Sequence, residues 1–201
     1  DKGDVKKIKS QRVYWKHNLK IRNEFITKDN INDVVKSFNV PKKLGLLSLD
    51  IDGVDYWVLK EFSALNPSIV ICEYNSLFGE KKSITVPYKE NFIRSKEHYS
   101  NLYYGASIQA FIDIMKTKNY FLIGTNTAGN NAFFVRKDLW KVLNKMILNK
   151  KIFMSKFRES RDQKGNLSFL NKRESLNLIR NKHVIDLKSK NKKKIELKLF
   201  T

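Results

Sequence analysis

One cysteine, three histidines, three prolines and eight glycines are spread over 201 residues. The single thiol, Cys72, excludes an internal disulfide. It lies in the apolar run Ser68-Ile69-Val70-Ile71-Cys72, so a buried strand thiol is expected rather than a reactive one. His17, His98 and His183 are scattered, with no HxxxH pair and no Cys/His spacing, which argues against a zinc site. P-loop, GxSxG and RNP signatures are missing. No apolar run approaches the roughly 18 residues of a membrane span. Asp1 to Ser10 is charged with no apolar stretch behind it, so no signal peptide is expected and a cytoplasmic location is.

Acidic residues are the other shortage: 20 against 40 basic, net +20. The excess sits in the flanks. Residues 1–44 hold 12 basic and 5 acidic side chains, residues 45–150 hold 13 and 10, and residues 151–201 hold 15 and 5. Basic flanks attract nucleic acid or anionic membrane. An AT-rich genome, which favours Lys, Asn and Ile codons, produces the same bias without such a partner. The basic residues are not interleaved with aromatics as a strand-stacking platform requires.

What is present is a core. Hydrophobic residues make up 41% of the chain, and the length suits one domain with a small appendage. A basic segment (1–18), whose residues 5–17 could form a short helix, is expected to precede the domain (19–150), and a basic appendage (151–201) to follow it. Leu19 to Ile26 alternates apolar and polar, as a half-buried strand does. Thr27 to Asn30 offers caps for a helix over 31–38. Leu44 to Ile51 reads as a buried parallel strand, with Gly53 turning out of it into a helix over 56–65. Asn66-Pro67 ends that helix, and Ile69 to Tyr74 is a second buried strand, completing a βαβ unit. Residues 76–104 have no clear periodicity, as a functional loop or lid would. A helix from Gly105 to Met115 follows. Strands at 120–124 and 132–135, joined by the short loop 125–131, should pair antiparallel. Helices are expected over 138–147 and 173–179, and a hairpin from Val184–Leu187 and Ile195–Leu199.

Particular stretches narrow the fold. Leu46 to Trp57 (LLSLDIDGVDYW) resembles the motif of FkbM-like SAM-dependent methyltransferases, and more closely a bacterial branch found near surface-polysaccharide genes. Val70 to Asn75, Tyr103 to Ser107 and Asn130 to Arg136 resemble the same branch in the same order, and Phe157 to Asp162 fits it more loosely. The resemblance covers roughly residues 19–165. It implies an α/β fold: a Rossmann-like class I methyltransferase sheet, mostly parallel, ending in an antiparallel strand pair. It also implies S-adenosylmethionine (SAM) as cofactor and a sugar or other small hydroxyl compound as acceptor. The family's glycine-rich turn after its first strand, and the acid after its second that holds the ribose, have no counterpart here; Gly3 stands alone in a charged context. The sequence is therefore expected to begin near the third strand of that sheet. It would then be a fragment, a gene product without its cofactor half, or one partner of a second chain. An unpaired sheet edge favours self-association, so a homo-oligomer or a marginally stable chain is expected.

Ligands of open α/β sheets bind outside the carboxyl ends of the strands. Asp50 and Asp52 fall at the end of one expected strand and Glu73 at the end of its neighbour, about 4.8 Å away. These three are the candidate catalytic residues. Together they could take a hard cation such as Mg²⁺, or supply a general base for an acceptor hydroxyl. The competing roles are structural: Asp52 capping the next helix, Asp50 bonding loop amides, and Asp55 lying in the first helical turn. Tyr74, Asn75 and Tyr88 could line the crevice entrance, and Tyr103 and Tyr104 could close over a substrate. Two readings from other classes remain open beside the methyltransferase: a basic module for nucleic acid or an anionic surface, and an inactive structural partner of a complete paralogue.

Overall fold

A computed structural model of the chain describes residues 2–145, 151–189 and 194–196. The basic N-terminal segment forms two short helices, α1 (Lys2–Lys9) and α2 (Arg12–Lys16), separated at Ser10-Gln11. The strand expected over 19–26 does not form. Its backbone has no β-ladder partner among the described residues, and alternation makes a strand only where a neighbour takes up the ladder hydrogen bonds. The segment instead lies along α3 (Ile31–Ser37), held by Lys20 Nζ donating to Phe38 O at 2.9 Å and Arg22 Nη1 donating to Ser37 Oγ at 2.8 Å. Leu19 and Phe25 stay exposed. Thr27 and Asn30 close a turn ahead of α3, the Thr27 amide donating to Asn30 Oδ1 at 2.8 Å.

The fold is mixed α/β. β1 (Leu46–Leu49) runs parallel to β2 (Ile69–Glu73), with α4 (Asp55–Glu61) between them in sequence. β4 (Tyr120–Thr125) and β5 (Asn131–Arg136) form the expected antiparallel pair. β5 inserts between β2 and β4, giving the order β1-β2-β5-β4. Three strands thus share a direction and β5 opposes them, so β1–β2 is the one parallel pairing among the described residues. The expectation that β1 is buried needs correction: it is an edge strand, with Leu46 49% exposed and only Leu49 buried. Central β2 carries Val70 and the fully buried Cys72, whose thiol is raised by burial.

Helix α6 (Ile108–Thr117) is capped by Ser107, whose Oγ accepts from the Ala110 amide at 3.2 Å. It buries Ile108, Ala110, Phe111 and Met115 in the core shared with Val58, Leu59 and Phe134. Residues 76–104 are not a lid. A 3₁₀ turn (Ser76–Phe78), β3 (Ile84–Thr85) and α5 (Arg94–Glu97) punctuate a packed layer in which Leu77, Phe78, Ile84, Val86 and Leu102 are buried. Trp57 Nε1 of α4 ties it down by donating to Val86 O at 2.9 Å. α7 (Lys137–Leu143) follows β5, and positions 146–147 of the expected helix lie outside the described residues.

The C-terminal region is fastened to this body. α8 (Lys172–Ile179) opens on a full capping box, Asn171 with Glu174. β6 (His183–Asp186) and β7 (Lys194–Glu196) pair as the expected hairpin; positions 197–199 lie outside the described residues. β6 also pairs with β3, making a second sheet of order β3-β6-β7. Tyr103 Oη donates to His183 O, and Lys182 Nζ donates to Glu97 O at 2.7 Å. Among the described residues no helix is long and apolar enough to cross a membrane.

Candidate functional site

The carboxyl ends of β1 and β2 are shaped by a buried clamp. The Asp55 carboxylate accepts from the Ile51 amide and from the Gly53 amide, each at 3.0 Å. Asp55 is fully buried, and burial pushes its carboxyl up to about 6 against the pull of those amides. Asp55 thus bonds the amides of Ile51 and Gly53, Asp50 takes a backbone hydrogen bond from Asp52 as its structural alternative expects, and α4 has no side-chain cap from Asp52. Between the clamped amides Asp52 adopts φ 57, the left-handed region that a short polar side chain tolerates. Gly53 is required for a different reason: a Cβ there would lie 2.2 Å from the Phe92 ring.

This loop delivers Asp50 and Asp52 to Glu73, so that one carboxylate oxygen from each lies within 4.8 Å of the others. Asp50 and Asp52 are exposed, and Glu73 is 5% exposed. Glu73 Oε2 is buried with no hydrogen-bond partner among the described residues. Burial pushes the Glu73 carboxyl up to about 8; Arg94 opposes this, while Asp50, Asp55 and Asp52 add to it. Asp50 is also raised, by burial first and then by Asp52.

A guanidinium sits among these acids. Arg94 of α5 lies over the Tyr104 ring, 3.7 Å from its centroid, and its Nε donates to Asn101 O at 2.7 Å. Its Nη1 is 3.3 Å from Asp52 Oδ1, 3.8 Å from Glu73 Oε1 and 3.2 Å from Glu159 Oε2. Asp50, Asp52 and Glu73 are the residues that could hold a metal. Mg²⁺ needs oxygens at about 2.0–2.1 Å, so a spread of 4.8 Å would have to contract around it. Arg94 already offsets part of the negative charge of Asp52 and Glu73.

Beside the cluster opens a cleft of about 440 Å³, with Glu73, Arg94, Tyr104, Asn130, Phe157 and Glu159 among its lining residues. That size suits a monosaccharide-scale ligand. Of the five residues expected to line the crevice entrance or close over a substrate, Tyr104 lines the cleft. Tyr74 is buried with its hydroxyl on Phe153 O at 2.5 Å. Asn75 braces the cleft wall from within: Nδ2 donates to Leu102 O and Tyr104 O, at 2.9 and 3.0 Å, and Oδ1 accepts from the Leu77 amide. Tyr103 holds β6 through His183 O, and Tyr88 packs on Trp57 under the Lys28 ammonium. Arg94 and Glu159 were not singled out from the sequence. Arg94 lies in the aperiodic segment and carries no local signal; Glu159 falls within the stretch that loosely matches the family.

The cofactor half is a separate matter. Glycine-rich turns let a backbone approach a cofactor closely. The one glycine after β1, Gly53, is already filled against by Phe92, and Gly129 of the β4–β5 loop is backed by the Met154–Ser155 backbone, 2.4 Å from where a Cβ would stand. Neither glycine therefore offers the close backbone approach of a glycine-rich cofactor turn. No family model, no curated protein and no solved structure matches the chain.

Proposed function

We propose that this chain carries the acceptor side of a SAM-dependent O-methyltransferase-like domain, acting on the hydroxyl of a sugar or other small acceptor. The observation that carries the reading is Glu73: a buried carboxylate with a partner-free oxygen, at a strand's carboxyl end, facing a ligand-sized cleft. An acceptor hydroxyl in the cleft would give its proton to the Glu73 carboxylate. Asp50 and Asp52 would raise the basicity of that carboxylate, and Arg94, fixed on Tyr104, would hold one of its oxygens. SAM, when bound, would supply the methyl group, and the task of this chain's residues is in-line placement of the acceptor. The sheet order supports the reading: a reversed strand, β5, inserted between like-directed strands is compatible with the end of a Rossmann-like class I sheet. The LDIDG resemblance supports it from the sequence.

The test is methyl transfer from isotope-labelled SAM to a panel of mono- and disaccharides, beside calorimetric titration with SAM. Transfer that vanishes in Glu73→Gln is expected. No heat at millimolar SAM would rule out catalysis by this chain alone, and transfer unchanged in Glu73→Gln would remove the base.

A second reading rests on the N-terminal helices, where Trp15 is 78% exposed among Arg12, Lys16 and Lys20. A nucleic-acid or anionic-surface module built on them would lose affinity steeply with salt in a filter-binding series, and salt-independent binding would dismiss it.

A further inference from the structure

The cleft has a second wall, formed by residues 155–160. Its chain is held in an uncommon conformation. Phe157 has φ 48, a region that a bulky non-glycine residue seldom occupies, and its side chain is buried. Three hydrogen bonds hold the turn. The Ser155 amide donates to Ser76 Oγ at 3.1 Å, the Phe157 amide donates to Ser155 Oγ at 3.0 Å, and the Ser160 amide donates to Phe157 O at 3.0 Å. Gly129 presses on the same wall from behind, backed by the backbone of Met154 and Ser155. Backbone strain of this kind persists where surrounding structure over-determines it, and such strain clusters at ligand sites.

The turn sends Phe157 inward and leaves Lys156 and Arg158 exposed on either side, both lining the cleft. Neither has a hydrogen-bond or ion-pair partner among the described residues. Their acidic neighbour in the turn, Glu159, is taken by Arg94. Asp52 is likewise bound to Arg94, and neither it nor Asp50 lines the cleft. The cleft therefore has a carboxylate at its inner end and two uncommitted cations on its lip.

We propose that the acceptor is an anionic sugar, with its carboxylate or phosphate between Lys156 and Arg158 while a hydroxyl meets Glu73. The inference rests on the acceptor-side reading and names its substrate class. Arg158 offers a planar fork for two anionic oxygens and Lys156 a point charge. A neutral sugar would leave both cations unused.

The experiment is a calorimetric or NMR titration of the whole chain, without SAM, at low salt. The probes are glucuronate, glucose 1-phosphate, glucose and inorganic phosphate, against wild type, the double variant Lys156→Ala/Arg158→Ala, and Glu73→Gln. Two charge-assisted contacts predict about 10- to 100-fold tighter binding of the anionic sugars than of glucose, lost in the double variant. The two anionic probes decide between carboxylate and phosphate. Phosphate bound as tightly as glucose 1-phosphate, with Glu73→Gln without effect, would reduce the site to an anion patch and overturn the proposal. Equal binding of glucose and the anionic sugars, or anionic binding undiminished in the double variant, overturns it while leaving the acceptor-side reading intact. No binding of any sugar overturns both. Selective anionic binding without methyl transfer by this chain supports the proposal and counts against catalysis by the chain alone.

Discussion

Replacing Glu73 by Gln should make the protein more stable in mild alkali while removing the proposed base. The folded-state carboxyl lies at about 8 against an ordinary value of 4.5. A carboxyl raised on folding contributes stability that is fully present below its unfolded value and is lost as pH rises through the folded one. Between pH 5 and pH 8.5 the wild type should therefore lose on the order of 3–4 kcal/mol through this residue. For a chain of this size that is about 10 °C in Tm. Glutamine keeps the shape and cannot ionise. Glu73→Gln should match the wild type within about 1 kcal/mol at pH 5 and exceed it by about 3 kcal/mol at pH 8.5. Asp55, raised to about 6, adds a similar slope at lower pH, but it is present in both proteins and cancels in the comparison. The assay is urea unfolding of both proteins at the two pH values. Parallel stability curves from pH 5 to 8.5 would refute the view that Glu73 is a buried acid whose charge Arg94 offsets only in part.

Other consequences are open to direct measurement. Asn75→Ala removes three buried hydrogen bonds behind the cleft wall, so a loss of about 3 kcal/mol or more in urea unfolding is expected; a change below about 1 kcal/mol would contradict the bracing role. Gly53→Ala drives a methyl into the Phe92 ring and should cost about 1–3 kcal/mol; Phe92→Leu in the same chain should return part of it, and strict additivity would show that the two do not meet. Leu46→Lys places a charge on the open edge of β1; if that edge drives self-association, the light-scattering mass of the wild type should exceed that of the variant, and equal masses would refute a role for the edge.

Sequence reasoning reached the fold where period and punctuation agreed. The βαβ unit from β1 to β2, the β4–β5 hairpin, α6 behind Ser107 and α8 behind Asn171 all have local signals, because caps, turns and apolar spacing act over a few residues. It overreached at 19–26, where alternation is real but no strand among the described residues lies alongside. It also could not see that β1 is an edge, since position in a sheet is a property of the partners. Within the site, Asp50, Asp52 and Glu73 were legible from their places at strand ends. Arg94 was not, because a cation in an aperiodic segment is visible only once three carboxylates are seen around it. Asn75 and Tyr103 were legible as polar groups near the crevice but not as braces, since their partners are backbone carbonyls distant in sequence.

The pairing of β3 with β6 has a consequence for how the protein is made. The bonds fastening the 76–104 layer to the C-terminal region, Tyr103 to His183 and Lys182 to Glu97, span 80 and 85 residues. During synthesis at about 5–20 residues per second, the layer beneath Arg94 waits on the order of ten seconds for that partner to emerge. Until then β3, bonded on one side to residues 105–107, presents its other edge open to the ribosome surface and to chaperones. Contacts of such long range also slow folding after release. The cleft is therefore among the last parts of the molecule to mature, and slowing translation before β6 should lengthen the exposure of this nascent chain to aggregation.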